Sequence, residues 1–570
     1  MRNLLLLLMV GALPFLSFAQ NTVESGKKVK SVVSSEYDRS SVTFIGLDFN
    51  ENLSSKLYTQ FAALQVPDKY YDNNVETKIL KPGIARPATD EYLQQIEPEK
   101  IAEWLKENKV GQQILAKWFN RQADGSFNVD MLKERGMFNA NDNDFKVASA
   151  SKRGEASLMD MGLQLVDKSY VLVFDYYNVM SMSQYYTKEE IAEDKRTMNG
   201  FKSSLNSYLF KLDFSELVAA EFFQKYWVSE GDADKQAKID AFNNADFSFQ
   251  FMSKQRTSPS ATQYNEGQTL APKFQKSEAE LFDALCLSGL TSVTTIIENQ
   301  QDAFKVKAMV SDVHPIAAKI GKKEGLKFDN RYFVYENRMR NNGSTYSKKV
   351  AVVKSMKIAD NRKVTSGESE SSEFYQIAGG KVDNYGMFLE QHNDVGLNIC
   401  VGYNAVGAAG ATVRAEYYIS KVFGDLVGKG KSGKALTAWK IYVEGGFGAE
   451  APSAETVDEN FDFVRISGGI AKDFHPLPFL HWGPFVGYGI ETGTWDVTEE
   501  QINSDFIEAG VRVGVNLASN VQLLGTASYH SLISSEIEED GVVTEEDFQY
   551  EDFFEDRMGL GINIGLRIMF

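Results

Sequence analysis

The C-terminal segment 557–570 alternates strictly between apolar positions and other positions. Its even-numbered residues are all apolar, and its odd-numbered residues are Gly, Asn or Arg apart from Met569. Because strand side chains point to alternate faces, this pattern predicts a strand with one apolar face and one mostly polar face. A strand that separates membrane lipid from a packed polar lumen requires this arrangement.

Seven earlier segments show the same alternation from residue 394 onward. The sequence therefore predicts that residues 394–570 form an eight-stranded antiparallel transmembrane β-barrel, with the even strand number of bacterial barrels. In each segment, the apolar residues at alternate positions are predicted to face outward. In the first seven segments these outward-facing sets begin at Val395, Val413, Trp439, Val464, Val486, Ile507 and Val521. The set that begins at Val413 extends to Ile419.

An alternating strand that ends in an aromatic residue resembles the closing strand of bacterial outer-membrane β-barrel proteins, in particular small eight-stranded, OmpA-like barrels. The resemblance implies contact with outer-membrane lipid and recognition of this strand by the outer-membrane assembly machinery. The residues of this barrel assembly signal are Ile562, Ile564, Leu566, Ile568 and Phe570. The layout of the whole chain also resembles Bacteroidota-type envelope proteins.

The predicted lumen contains charges of both signs. An eight-stranded barrel is just wide enough for its own side chains to fill. We therefore expect an internal ion-pair network rather than a charged pore or a proton path, because buried charges need partners. His530 has no Ser or Asp partner at an interpretable spacing, so a hydrogen-bonding role in the lumen is favoured over catalysis. The predicted network comprises Arg414, Glu416, Lys440, Glu444, Arg465, Glu491, Glu508, Arg512, Arg557 and Arg567.

The connection after the seventh strand is strongly acidic, with eleven carboxylates between Glu536 and Asp556. Clustered carboxylates can bind Ca²⁺ or bridge lipopolysaccharide through a divalent cation. Their spacing matches no known Ca²⁺ loop, so a solvated acidic hairpin is the favoured interpretation.

The N-terminus and the loop lengths predict where the chain resides. Residues 1–19 have a positive start, an apolar core and a small-residue cleavage site, as a signal peptide does. No later stretch has eighteen consecutive apolar residues, so no transmembrane helix is predicted. The sequence thus predicts an outer-membrane protein whose N-terminal domain lies in the periplasm. The predicted periplasmic turns are 473–478 and 518–520, and the predicted outer loops are 449–460, 496–503 and 533–552. Two connections fit this topology less well, because 406–410 is short for an outer loop and 424–434 is long for a periplasmic turn.

The region ahead of the barrel is large enough for an independent core. We divide it into an N-terminal segment 20–95 with a flexible start and an α/β region 96–303, and together they predict an α+β periplasmic domain. A capping box at Ser277 and Glu280 begins a helix that ends near Asn299, and Thr187 and Glu190 form a second possible box. The other predicted elements are helices at 98–120 and 144–166 and strands at 169–176 and 201–214.

Strand patterns dominate residues 304–390. The stretch 319–326, followed by 332–335, resembles the small SH3-like β modules of periplasmic proteins in flagellar and secretion systems. The resemblance implies an SH3-like module ahead of the barrel. Gly321 and Gly325 are interpreted as turn residues, because no phosphate-binding glycine pattern occurs here.

Composition excludes several functions. The net charge of −18 argues against a nucleic-acid partner. Cys286 and Cys400 lie in different predicted domains, which argues against a disulfide, and no cofactor or metal site is predicted. No HExxH or GxSxG pattern occurs, and the five histidines are scattered.

These observations favour a non-enzymatic, outer-membrane-anchored interaction protein. Its periplasmic domain would dock to an envelope complex such as the outer-membrane protein assembly or secretion machinery. The alternatives are an outer-membrane channel and a barrel enzyme that acts on lipid or peptidoglycan.

Overall fold

The structure is a computed structural model. Several predicted segments lie outside the residues it describes: the predicted signal peptide, most of the predicted helix 144–166, and most of the predicted loops 449–460 and 496–503. Those residues are 27–28, 40–87, 95–132, 135, 163, 165–228, 232–340, 345–364, 370–383, 386–427, 435–450, 461–494, 501–539, 542–546, 549–554 and 557–570.

The first domain is built on a mixed seven-stranded sheet with the order β3-β2-β5-β6-β7, in which β4 also pairs with β2 and β8 with β6. Strand β2 is parallel to β3, β4 and β5, and the other pairs are antiparallel. Because β2 pairs with β5, the predicted segments 20–95 and 96–303 contribute to one sheet. After β1 (Lys27–Lys28), which belongs to the second domain, the strands are β2 (Ser41–Leu47), β3 (Tyr71–Asp72), β4 (Ile79–Leu80), β5 (Ser169–Ser181), β6 (Met198–Leu212), β7 (Phe249–Thr257) and β8 (Ser260–Tyr264).

Helices cover both faces of this sheet. They are α1 (Ser54–Phe61), α2 (Pro98–Glu107), α3 (Val110–Trp118), α4 (Met182–Lys188), α5 (Glu216–Glu221), α6 (Lys235–Asn244) and α7 (Glu278–Gln300), with a π-helix at Phe222–Tyr226 and 3₁₀ turns at Glu193–Lys195, Asp302–Phe304 and Lys322–Glu324. Helices α1 and α7 cover the face that carries Leu172 and Phe174, and α2, α3 and α6 cover the face that carries Val171 and Val173. Burial on both faces explains why β5 is a continuous apolar run. The mixed helix and strand domain is confirmed.

Helix α7 begins at the predicted capping box. The Glu280 N–H donates to the Ser277 hydroxyl at 3.4 Å, and the Glu280 carboxylate accepts the Ser277 N–H at 2.7 Å. By length and composition α7 could cross a membrane, and it is the only such helix among the described residues. The sequence did not predict it. Because Leu285 and Val293 are buried against the sheet, α7 is the core helix of this domain.

Two local predictions in this domain are wrong. The predicted helix 98–120 is two helices, because Lys109 between them has a left-handed backbone with φ 54°. Thr187 does not begin a helix, because it lies in the last turn of α4 and its hydroxyl donates to a carbonyl one turn earlier at 3.0 Å. The capping box of α4 is formed by Ser181 and Gln184.

A small closed barrel forms the second domain. Its strands are β9 (Lys307–Val313), β10 (Ile316–Ala318), β11 (Arg331–Met339), β12 (Thr345–Lys357), β13 (Ser372–Gly379) and β14 (Met387–Gln391). They pair in the order β11-β12-β13-β10-β9-β14, and β14 pairs back to β11. Strand β1 adds to the end of β11. Gly325 lies in a turn with φ 75°, as predicted, whereas Gly321 is extended. The SH3-like identity stays a prediction, and we call this domain the six-stranded barrel.

The third domain is a closed eight-stranded barrel, which confirms the predicted strand number. Strands β15, β16, β17, β18, β20, β21, β22 and β24 pair in this order, and β24 closes onto β15. All of these pairs are antiparallel, and β19 and β23 only extend β20 and β22. The strands are β15 (Leu397–Val406), β16 (Gly410–Tyr418), β17 (Trp439–Glu450), β18 (Phe461–Lys472), β19 (Phe474–Leu477), β20 (Leu480–Thr494), β21 (Gln501–Asn516), β22 (Val521–Glu539), β23 (Val542–Glu546) and β24 (Gly559–Met569).

The two ends of this barrel differ. We call the end beside the six-stranded barrel the proximal end and the other the distal end. At the proximal end, α8 (Ile419–Val427) follows β16, so the prediction that Ile419 extends the second strand is wrong. The helix explains why this connection is long for a turn. At the distal end, the β22–β23 hairpin and α9 (Tyr550–Phe553) form a long connection between β22 and β24.

Candidate functional site

The outer surface of the eight-stranded barrel is a continuous belt of exposed apolar side chains, which we call the lipid belt. Apolar surface of this extent is not stable against water, whereas it matches the hydrocarbon core of a bilayer. The assembly-signal residues Ile562, Ile564, Leu566 and Ile568 lie in it, and Phe570 is exposed just after β24. Other members include Val401, Val413, Ile441, Val443, Ile466, Val486, Ile490, Ile507, Val511, Val513 and Leu523.

The proximal half of the lumen contains three cations around two carboxylates. Arg512 binds Glu416 and contacts Asp473 at 2.7 Å. Lys440 binds Asp473 and lies 3.2 Å from Glu416. Arg567 reaches Glu416 at 3.1 Å and Asp473 at 3.2 Å. Each carboxylate therefore contacts all three cations, and all five side chains are buried.

Arg567 extends this cluster through two neutral side chains. Its Nη1 donates to Gln522 Oε1 at 3.1 Å and lies 2.9 Å from His481 Nε2. Because a guanidinium can only donate, Nε2 accepts, and the proton of this neutral imidazole is on Nδ1.

The middle of the lumen is filled by a chain of polar and aromatic contacts. Arg414 pairs with Glu444 at 2.6 Å, and its guanidinium lies 4.3 Å from the centre of the Tyr442 ring. The Tyr442 hydroxyl donates to Glu508 at 2.7 Å, and His530 Nε2 lies 3.6 Å from the same carboxylate.

His530 also lies near a hydroxyl, so its geometry bears on catalysis. Its Nε2 is 3.3 Å from Ser528 Oγ, and its Nδ1 is 3.3 Å from Arg465. A catalytic triad needs the hydroxyl and the carboxylate on opposite ring nitrogens. Here Ser528 and Glu508 both approach Nε2, so this arrangement does not form a triad.

The distal half of the lumen is centred on Glu491. Its carboxylate binds Arg465 at 2.8 Å and Arg557 at 2.7 Å, and it accepts the Tyr550 hydroxyl. Arg557 also pairs with Glu450 at 3.2 Å.

Aromatic residues close the distal mouth, and we call Tyr550 and Phe554 the distal plug. The Phe554 ring lies 5.3 Å from Phe461 and 5.1 Å from Phe463, and Phe506 is buried in the same cluster. The prediction of a solvated acidic hairpin holds only for the β22–β23 part of this loop. The part after it turns inward because its rings find apolar partners and its tyrosine finds Glu491.

Among the described residues, this network contains equal numbers of basic and acidic side chains. Six basic and six acidic side chains take part: Arg414, Lys440, Arg465, Arg512, Arg557 and Arg567 with Glu416, Glu444, Glu450, Asp473, Glu491 and Glu508. All the residues of the predicted network are among them. Asp473, Glu450 and Tyr550 were missed, because the first was assigned to a turn and the others to an outer loop.

The proximal mouth is covered by the six-stranded barrel, and Asp329 is the main contact. This buried carboxylate accepts the Tyr375 hydroxyl at 2.6 Å and the Ser420 hydroxyl at 2.6 Å. It also accepts the backbone N–H of Ala438, just ahead of β17, at 3.0 Å. We call Asp329, Tyr375, Ser420 and Ala438 the mouth node. It joins the six-stranded barrel to two elements of the eight-stranded barrel.

A second set of contacts lies where the chain passes from one barrel to the other. Asp394 is buried between Lys354 at 2.8 Å and Lys421 at 3.5 Å. Burial alone would raise the pKa of Asp394, but the two ammonium groups hold it below its ordinary value. Burial lowers the pKa of Lys421 to about 8, and Asp394 opposes this shift. Arg331 donates to the carbonyls of Asn393 at 2.7 Å and Met569 at 3.4 Å.

The described part of the first domain carries several grooves. One groove of about 880 Å³ is lined by Lys109, Gln113, Arg121 and Phe242 among others. Among the described residues, no group of three His, Cys, Asp or Glu side chains could hold a metal ion. Part of the acidic loop lies outside those residues, so Ca²⁺ binding there stays a prediction. Cys286 and Cys400 are buried and free, as predicted.

Comparisons with known proteins give matches only among solved structures. No protein-family model matches the chain, and no curated protein matches it. A major outer membrane protein from Thermus thermophilus is 16% identical with a TM-score of 0.22, over 30% of this chain and 98% of that one. The N-terminal β-barrel domain of Pseudomonas aeruginosa OprF is 10% identical with a TM-score of 0.19, over 30% and 96%. Neisserial surface protein A is 14% identical with a TM-score of 0.19, over 30% and 94%.

The barrel's own geometry defines the class of protein. A closed set of eight antiparallel strands leaves no unpaired edge in the hydrocarbon region, and the lipid belt surrounds a polar, filled lumen. The chain is an outer-membrane β-barrel protein with an N-terminal α/β domain. The Bacteroidota resemblance stays a prediction.

Proposed function

We propose that this outer-membrane protein is a non-enzymatic anchor and interaction platform. Its eight-stranded barrel holds the protein in the membrane, and its N-terminal domain docks to a protein complex of the cell envelope, such as outer-membrane assembly or secretion machinery. The carrying observation is that the lumen is filled by balanced ion pairs and covered at both mouths. A barrel of this kind offers a fixed position in the membrane and little room for a passing solute.

The proximal contacts support a platform role. The mouth node and Asp394 bind the six-stranded barrel through buried, hydrogen-bonded charges. Such contacts require defined geometry, because an unpaired buried charge is costly. The six-stranded barrel is therefore held at the mouth rather than suspended on a linker.

The loops support a periplasmic position for the N-terminal domain. The distal connection 533–552 is long and acidic, whereas the proximal connection 518–520 is short. Outer-membrane barrels have long extracellular loops and short periplasmic turns. We therefore propose that the distal end faces the exterior and that the first two domains face the periplasm.

Exposed apolar side chains on the first domain support protein docking. Leu217, Leu270 and Phe274 are exposed, and Phe274 has 80% of its surface accessible. Aromatic side chains such as Phe274 are enriched at protein interfaces. All three residues lie on the domain that projects from the anchor.

Site-specific photo-crosslinking in intact cells tests this proposal on the full chain. A photoreactive residue at Phe274, Leu270 or Leu217 is expected to give discrete protein adducts. The same residue at Val543 of the distal hairpin is the matched control, and at Val443 it reports lipid-facing background. Adducts from Val543 with none from the first domain would contradict the proposal.

Two measurements separate the alternatives. A channel predicts stable conductance of the purified protein in planar bilayers, with a selectivity that changes when Arg512 is reversed to Glu. A barrel enzyme predicts turnover of phospholipid or peptidoglycan fragments. We expect neither activity.

A further inference from the structure

Helix α8, directly after β16, is strongly amphipathic. Its sequence, ISKVFGDLV, places Ile419, Val422 and Phe423 at i, i+3 and i+4, which is one face of a helix. Ser420, Lys421 and Gly424 lie on the opposite face. The two faces have different surroundings.

The polar face is fixed to the rest of the protein. The Ser420 hydroxyl donates to Asp329, and Lys421 donates to Asn330 at 3.2 Å and to the Asp394 carbonyl at 3.2 Å. Gly424 faces Phe328 of the six-stranded barrel, so closely that a Cβ would lie 3.7 Å from the ring. These contacts fix the rotation of the helix about its axis.

The apolar face is exposed. Val422 has 54% of its surface accessible and Phe423 has 48%, although both neighbouring polar residues are buried or nearly so. The face points away from the six-stranded barrel, because the opposite side of the helix contacts that barrel. Two adjacent large apolar residues on a rigidly held helix need an apolar environment.

This face continues the lipid belt. Tyr417, two residues before α8, points outward between Leu397 of β15 and Ile441 of β17, which pair with it. Ile441 and Val395 are exposed beside it. Along the chain, the outward-facing residues of β16 therefore lead directly into the apolar face of α8.

We propose that α8 is an interfacial anchor that inserts Val422 and Phe423 into the lipid leaflet at the proximal end. The ligand is the acyl-chain region of phospholipid. Amphipathic helices that lie in the membrane plane bury their apolar face at the boundary of headgroups and chains. Because the other face is bound to Asp329 and Asn330, the anchor sets the height of the six-stranded barrel against the membrane.

Spin labels measure this insertion on the full chain in vesicles of phosphatidylethanolamine and phosphatidylglycerol. Nitroxide labels are attached to Val422→Cys and Phe423→Cys, with Ile441→Cys as the lipid reference and Phe274→Cys as the water reference. Native protein taken through the same labelling reaction gives the background signal, which should be low because Cys286 and Cys400 are buried. We expect the ratio of oxygen to nickel-chelate collision rates at both α8 sites to lie severalfold above that at Phe274 and close to that at Ile441.

A water-like ratio at both α8 sites would overturn the proposal. Shielding of these sites from the nickel chelate in native membranes but not in vesicles would also overturn the proposal, because it would indicate that a protein partner covers them. If a cysteine variant fails to insert, Phe423→Asp in vesicles gives an independent measurement. We expect it to lower the urea midpoint of unfolding, whereas Phe274→Asp leaves the midpoint unchanged; equal midpoints for the two variants would count against insertion.

Discussion

Two buried carboxylates, Glu416 and Asp473, determine the electrostatics of the proximal lumen, because each is shared by three cations. Removing one partner of a buried ion pair leaves an uncompensated charge, which typically costs about 3–5 kcal/mol. The cluster therefore stabilises the barrel only as a complete set. Replacing any single member is therefore expected to lower the free energy of unfolding of the barrel.

We expect Arg512→Met to destabilise the barrel by roughly 3 kcal/mol, since Glu416 and Asp473 both lose a partner. Urea unfolding in detergent, followed by heat-modifiable migration in gels, measures the change. The matched control is Lys225→Met, which removes an exposed pair with Glu221 and should leave the unfolding midpoint almost unchanged, because solvent screens such pairs. Equal midpoints for the two variants would contradict the structural role of the network.

Asp329 gives a second prediction at the scale of one residue. Asp329→Ala removes the acceptor of the Ala438 N–H, and hydrogen bonds to charged groups contribute about 1.5–3 kcal/mol. We expect faster hydrogen exchange at the Ala438 amide in this variant. Ser420→Ala removes a different donor from the same carboxylate and should leave the Ala438 amide protected. Unchanged exchange in Asp329→Ala would show that the node does not hold β17.

Sequence reasoning found the lumen residues in the segments whose alternation it recognised, including Arg557 just ahead of β24. The period of two in strands fixes which side chains point inward, so Arg414, Arg512 and Arg567 could be placed without a structure. Asp473 follows the end of β18, where the alternation stops, and its partners Arg512 and Arg567 are 39 and 94 residues away. Contacts of this separation leave no local signal. Asp329 was not predicted for the same reason.

At the scale of elements, the C-terminal strand β24 combines membrane contact with barrel closure. Its apolar face lies in the lipid belt, and its edges pair with β15 and β22. Replacing Ile564, Leu566 and Ile568 with Asp should prevent insertion, because a charge facing lipid costs about 2–4 kcal/mol for Arg or Lys at the midplane and less for Asp. Loss of heat-modifiable migration and of membrane fractionation would show this. Leu217, Leu270 and Phe274 changed to Asp add the same charge outside the membrane, and this control should insert normally.

The contact between the two barrels should weaken in acid. Lys354 and Lys421 hold the pKa of Asp394 below its ordinary value, so this carboxylate stabilises the folded state above the unfolded pKa of about 3.9. Its contribution is lost as the pH falls through the lower folded pKa. We expect the free energy of unfolding to decrease less between pH 5 and pH 3 in Asp394→Asn than in the native protein. An equal decrease in Asp394→Asn and in the native protein would show that Asp394 does not stabilise this contact.

Element prediction failed where tertiary contacts override the local pattern. The alternation through Ile419 predicted a longer strand, but Ser420 and Lys421 bind Asp329 and Asp394, which turns the backbone into α8. The distal loop has the composition of a solvated hairpin, and only the fit of Tyr550 to Glu491 brings it inward. The strand number and the inward or outward direction of the strand side chains, by contrast, follow from a repeating local pattern and were predicted correctly.

At the scale of the whole molecule, the first two domains precede the eight-stranded barrel in the chain, and the six-stranded barrel lies at its proximal end, so the two ends of the barrel are not equivalent. The six-stranded barrel is fixed at the proximal mouth, and α7 packs in the core of the domain before it. If the proximal end faces the periplasm, the first domain is enclosed by the outer membrane, and the distal loops reach the exterior. The proposed platform depends on this orientation, because an envelope complex can meet only the enclosed side.

Labelling of intact cells with a membrane-impermeant maleimide tests the orientation. Val543→Cys on the distal hairpin should react in intact cells, because Val543 is exposed at the outer end. Phe274 is even more open to solvent than Val543 in the structure, but Phe274→Cys should react only after the outer membrane is permeabilised. The native protein should stay unlabelled in both conditions, since its two cysteines are buried. Labelling of Phe274→Cys in intact cells, with protection of Val543→Cys, would reverse the topology and move the docking domain to the cell surface.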